Sequence, residues 1–87
     1  MDKRIILGVH ISKRAEQAAG VQKTFTEYGC NIKTRLGLHK VDNKVCSSAG
    51  IVILEFFGDE SKADELSKKL TAIDGVEVGK MVFEKND

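Results

Sequence analysis

Two stretches with helical spacing of apolar residues each lie between stretches that alternate every second residue, and that order leaves few ways to fold. Residues 3–11, KRIILGVHI, place Ile5, Leu7, Val9 and Ile11 on one parity and Arg4, Ile6, Gly8 and His10 on the other. This is the period of a strand. Ser12 then offers a hydroxyl for a helix N-cap. Up to position 28, Ala15, Ala18, Val21, Gln22, Phe25 and Tyr28 recur at helical spacing, which predicts an amphipathic helix. Gly29 suits the left-handed turn that closes a helix.

A second strand is expected over 31–39, with Ile32, Leu36 and Leu38 on the core parity and Lys33, Arg35 and His39 facing out. The stretch KVDNKVCSS has little periodicity and contains Asp42-Asn43, so it reads as a long hairpin loop. AGIVILEFF is nearly all apolar, as in a central strand covered on both faces. Gly58 and Asp59 break it, and Asp59 is placed to cap a helix with Ala63, Leu66, Leu70 and Ile73 on one stripe. Gly75 closes that helix, and VEVGKMVF makes a last strand with Val76, Val78 and Val82 on one parity. The tail EKND is expected to fray.

The order β-α-β-β-α-β, in one domain spanning residues 1–87, defines an α+β ferredoxin-like (ACT-like) plan. Right-handed crossovers put the first and third strands in the middle of a four-stranded antiparallel sheet, with both helices on one face. The other face then lacks cover. Ile6 and Gly8 belong to it, and an apolar sheet face left open in a short chain predicts a homo-oligomer, a dimer or tetramer.

Composition narrows the function. The chain has 14 Lys and Arg against 13 Asp and Glu, so no broad positive field exists to capture nucleic acid, and direct binding to it is not expected. No apolar run approaches membrane-spanning length and the N-terminus does not read as a secretion signal, so a cytoplasmic protein without a membrane partner is expected. Neither a nucleophile elbow, a phosphate loop nor a dinucleotide fingerprint is present, and the sequence does not read as an enzyme.

Metal binding is a more specific alternative. The first and second strands run in the same direction, which is expected to put His10 and His39 at one end of the sheet, on the face away from the helices, with the hairpin carrying Asp42 and Cys46 at that end too. Imidazole and thiolate suit a transition metal such as zinc, nickel or copper. The strands are about 10 Å apart, so a site shared between subunits is easier to build. Each histidine otherwise reads as a strand-end or hairpin residue. Cys30 is at the far end of the second strand, some eight residues or about 25 Å from the hairpin, too far for a disulfide with Cys46 within one chain.

The segments FFGDESKADELSKKLTAIDGVEVGKMVF, YGCNIKTRLGLHKVD and KRIILGVHI together resemble the iron-only hydrogenase system regulators, an ACT-like family, over nearly the whole chain. The C-terminal stretch, with Gly58-Asp59, Gly75-Val76 and Gly79-Lys80, is also similar to the ligand-binding domain of the nickel-responsive transcriptional regulator. The resemblance implies a ferredoxin-like fold, an oligomer and a regulatory role. The nickel regulator's H-x-H position reads Gly37-Leu38-His39 here, and Gly50 stands where its cysteine would be, so square-planar nickel binding is not implied. Its N-terminal DNA-binding ribbon has no counterpart, and the D-x-P-G turn of amino-acid-sensing domains is replaced by Ile11-Ser12-Lys13-Arg14. Three readings follow: a regulatory or sensing domain with a small ligand between subunits, a metal-binding module, and a structural interaction module.

Overall fold

Alternation along the first strand decides the architecture. β1 (Arg4–Ile11) buries Ile5, Leu7, Val9 and Ile11 and leaves the intervening positions on the opposite side. A computed structural model describes residues 3–12, 14–41 and 46–84, the side chains of 14–16, 18, 38–41 and 46–49 excepted. After β1 come α1 (Arg14–Glu27), a 3-10 turn (Gly29–Asn31), β2 (Ile32–Val41), β3 (Cys46–Phe56), α2 (Glu60–Thr71) and β4 (Val76–Phe83). The strands form one antiparallel sheet in the order β2-β3-β1-β4. This is the expected ferredoxin-like arrangement, with both crossover helices packed on one face.

The core lies between that face and the helices. Leu54 and Phe56 of β3 and Val76 of β4 join the buried row of β1, and α2 adds Ala63, Leu66 and Leu70. Ile73 packs at the edge of this cluster, as its place on the expected stripe suggests. Among the described residues of α1 the buried ones are Val21, Thr24 and Phe25, with Tyr28 just beyond its end, while the side chains of Ala15 and Ala18 lie outside the described residues. Gln22 is exposed, a correction to the expected stripe. The helical turn presents Thr24 instead, whose hydroxyl donates to the Gly20 carbonyl at 2.9 Å and so is not left unpaired.

Tyr28 fastens the two helices. Its hydroxyl donates to Glu65 Oε1 at 2.9 Å and the Lys69 ammonium stands 5.1 Å from its ring centroid. Desolvation first, and then the bond to Glu65, push its phenol above the ordinary value.

Glycine punctuation follows the expectation at one helix end and departs from it at the other. Gly75 has φ +83, and a Cβ there would run into the side chains of Ser12 and Gln17. The same corner is tied by the Ser12 amide donating to the Gly75 carbonyl at 3.1 Å and by Gln17 donating to the Asp74 carbonyl. Gly29 is not left-handed; positive φ among the described glycines is confined to Gly58 and Gly75. The chain leaves α1 through the 3-10 turn, so no αL residue is required. Gly75→Ala is therefore expected to cost about 1–2 kcal/mol. Gly29→Ala, with open space at its Cβ position, is expected to change stability by less than about 0.5 kcal/mol. Chemical denaturation of the two variants checks the contrast.

The β2–β3 ribbon corrects the sequence reading in two ways. Val41 pairs with Cys46, so much of the stretch read as a long loop continues both strands. Asp42-Asn43, expected in the loop, and residues 85–87 of the tail expected to fray lie outside the described residues. The larger correction is a bulge. Ile32 pairs with Phe56 and Thr34 with Glu55, so β2 spends two residues where β3 spends one, and Lys33 is the extra residue. A one-residue insertion exchanges the faces of everything after it. From Thr34 onward, Arg35 and Gly37 take the helix-side parity and Leu36 takes the open side, the reverse of the expected assignment.

An ionic cluster closes the β4 edge. Lys80 sits on the helix-side parity of β4 and reaches Glu60 Oε2 at 2.6 Å and Asp64 Oδ1 at 2.7 Å, while Lys3 reaches Glu60 Oε1 at 3.0 Å. The hydrogen bond from Lys80, and then that from Lys3, hold the Glu60 carboxyl below its ordinary 4.5. A depressed carboxyl contributes stability that is present above the unfolded value and lost as pH falls through the folded one. The urea midpoint should therefore decline below pH 4.5 less steeply in Glu60→Gln than in the parent. The groups are solvated, so the difference is small.

Candidate functional site

The sheet face turned away from the helices is the first candidate. Ile6 and Gly8 lie on it, as expected, since they pair in register with Glu55 and Ile53 of β3 and with Met81 and Gly79 of β4. Exposed large apolar side chains cluster on this side: Leu36 (54% exposed), Ile51 (40%), Met81 (56%) and Phe83 (49%). Ile6 and Ile53 fill the middle and are half-buried. The bulge at Lys33 is what adds Leu36 to this face, and with it the row spans all four strands.

Relief on the face is uneven. Gly8 and Gly79 are directly paired; a Cβ on Gly79 would meet nothing within 4 Å, and one on Gly8 would meet only Ile53 Cδ1 at 3.9 Å. They form a shallow trough beside the projecting Met81 and Phe83. Polar pairs frame the two ends: Arg4 Nε lies 3.4 Å from Glu55 Oε2, and His10 Nδ1 lies 3.5 Å from Glu77 Oε1. The Arg4–Glu55 pair is neutral as a whole, and at the other end Glu77 is largely exposed to water.

A second feature lies on the helix side, at the sheet edge. Phe25, Thr26, Gly29, Ile32, Lys33 and Arg35 line a groove of about 390 Å³ open to solvent. Without the bulge, Ile32 and Arg35, three positions apart, would face opposite sides of the sheet; the extra residue lets both border the groove. The Arg35 guanidinium is 4.9 Å from the Phe25 ring centroid and donates to Gln22 Oε1 at 2.7 Å. Sequence reasoning assigned Lys33 and Arg35 to an outward polar parity and missed the groove, because its other wall comes from α1.

The register separates the residues put forward for a metal. His10 pairs with Ile51, which pairs with Leu38; His39 pairs with Gly50, which pairs with Ile11 of the buried row. Positions 10 and 39 therefore fall on opposite faces, which corrects the expectation that both share the open face. The bulge at Lys33 is the cause. Cys46 pairs with Val41 at the distal end of the ribbon, and the side chains of His39 and Cys46 lie outside the described residues. Among the described residues no group of three or more His, Cys, Asp or Glu could hold a metal ion. Cys30 is exposed in the 3-10 turn, at the other end of the ribbon from Cys46. No helix among the described residues is long and apolar enough to cross a membrane.

No family model matches the sequence. No curated protein matches it either. Solved structures do. The uncharacterized protein TM1266 from Thermotoga maritima superposes with a TM-score of 0.80 at 23% identity, over 94% of this chain and 98% of that one. A formyltetrahydrofolate deformylase from Pseudomonas putida gives a TM-score of 0.53 at 16% identity over 90% of this chain, which spans only 28% of the deformylase. CPII from Thiomonas intermedia, bound to ADP, AMP and acetate, gives 0.53 at 11% identity, over 95% of this chain and 90% of that one. At these identities the likeness establishes the ferredoxin-like fold.

Proposed function

We propose that this chain is a regulatory or ligand-sensing module that works as a homodimer, joined through its open sheet face. The observation that carries the reading is the pairing on that face of projecting Met81 and Phe83 with the Gly8–Gly79 trough. A second copy supplies both halves of that complementarity, which a two-fold contact requires. Four strands about 4.8 Å apart and roughly eight residues long present on the order of 500 Å² per copy. Two such faces together approach the roughly 1,000 Å² that a specific interface needs. A formal charge of +1 offers little repulsion to a like partner.

The regulatory part of the proposal draws on the sequence resemblance to hydrogenase system regulators and on the nucleotide-bound state of CPII. A role as one component of a transcriptional regulator, with a small ligand held between subunits, is the finer form of the same reading. A metal site built from His10, His39 and Cys46 of one chain is not part of it, because the register divides positions 10 and 39 between the faces. Light scattering over a concentration series tests the assembly: the mass should climb from 9.6 kDa toward twice that value. A mass fixed at one chain at high concentration would reject the dimer.

A further inference from the structure

We propose that the groove between α1 and β2 binds the oxyanion group, phosphate or carboxylate, of a small molecule, with Lys33 and Arg35 as its cationic contacts. The reading does not depend on the open-face dimer, since the groove is on the opposite side of the sheet. Most described cations of this protein already have an acid: Lys3, Arg4, Lys62, Lys69 and Lys80 each lie within 4.0 Å of a carboxylate. Lys33 and Arg35 have none among the described residues, yet they border the same concavity, and none of the described residues that line it is acidic. Charge of one sign in a concave wall focuses the field and attracts an ion of the other sign.

Arg35 is also held in place. The Phe25 ring backs its guanidinium and Gln22 engages one nitrogen. Five N–H groups belong to that fork, so donors remain to grip an oxyanion in the two-point manner that arginine favours. The groove wall at the end of α1 would oppose an anion if its carbonyls were bare. Three of them are engaged: the Phe25, Tyr28 and Gly29 carbonyls accept from the Tyr28, Asn31 and Ile32 amides through the 3-10 turn. Gly29 leaves the entrance clear, with nothing within 4 Å of its Cβ position, and Ile32 provides an apolar strip for the rest of the molecule. The bulge that re-aims this end of β2 is a frequent companion of binding sites.

Amide NMR titration with inorganic phosphate, with acetate, and with chloride at matched ionic strength tests the proposal. Saturable shifts at residues 26–35, with phosphate or acetate but not chloride, are expected; the stronger of the two identifies the ligand class. Dissociation constants should be in the millimolar range, as befits a solvated two-cation site. Lys33→Gln, which removes no contact seen within the fold, should weaken binding about tenfold, and Arg35→Lys, which keeps charge but loses the fork, should weaken it as well. Shifts no greater than those from chloride, shifts spread evenly over all lysines including Lys23 and Lys68, or binding unchanged in Lys33→Gln would each overturn it. The unshifted amides of the core in both variants confirm that the fold is intact.

Discussion

Met81→Lys is expected to hold the protein at the mass of one chain over the concentrations at which the parent dimerises. Met81 pairs with Ile6 and is more than half exposed on the open face. In a two-fold contact each copy brings its own residue 81, so the substitution places two ammonium groups in the same apolar layer. Burying a charge without a partner costs several kcal/mol. A net loss of about 4 kcal/mol would weaken the dimer about a thousandfold. Lys23→Glu on α1, an exposed position in the helix layer, is the matched control and should leave the mass curve unchanged. Sedimentation equilibrium reads both. A Met81→Lys protein that associates as strongly as the parent would show that the open face is not the interface.

The same substitution should leave the monomer folded. Residue 81 is outside the core cluster, and a surface change away from special features stays within about 0.5 kcal/mol. Loss of association therefore cannot be ascribed to unfolding if the circular dichroism of the variant and the parent agree at low concentration.

What the sequence revealed, and what it hid, follows from which signals are local. β1, α2 and β4 are legible because their alternation or helical period runs unbroken from one glycine or polar boundary to the next. The Ile6 and Gly8 face follows directly from that parity. β2 is different. Uniform alternation assigns Ile32, Leu36 and Leu38 to one face, but the bulge at Lys33 leaves Ile32 toward the helices and moves Leu36 to the other side. Nothing in IKTRLGL marks the extra residue; it is created by the pairing with β3, a tertiary partner. That one step misplaced His39 relative to His10, hid the full extent of the apolar face, and concealed the groove. The hairpin was read too long for a related reason, because ladder hydrogen bonds, rather than periodicity, extend the strands to Val41 and Cys46.

Leu66→Ala is expected to be the most damaging of the conservative substitutions. Leu66 is fully buried on α2. Removing three carbons there loses their transfer energy and leaves a cavity that a helix packed between β-strands and α1 closes only in part, a cost of about 2–5 kcal/mol. For a domain of this length each kcal/mol lowers Tm by about 4–8 °C, so a fall of at least about 8 °C, and up to about 40 °C, is expected by calorimetry. Leu36→Ala removes the same atoms from the open face and should behave in the opposite way. At low concentration, where the chain is single, its Tm should match the parent within a few degrees, since no core contact is lost. At high concentration the parent gains stability from association by mass action and the Leu36→Ala protein gains less. The Tm deficit of Leu66→Ala is therefore present at both concentrations, and that of Leu36→Ala only at the higher one. Equal deficits for Leu36→Ala at both would assign Leu36 to the core of the single chain and remove it from the interface.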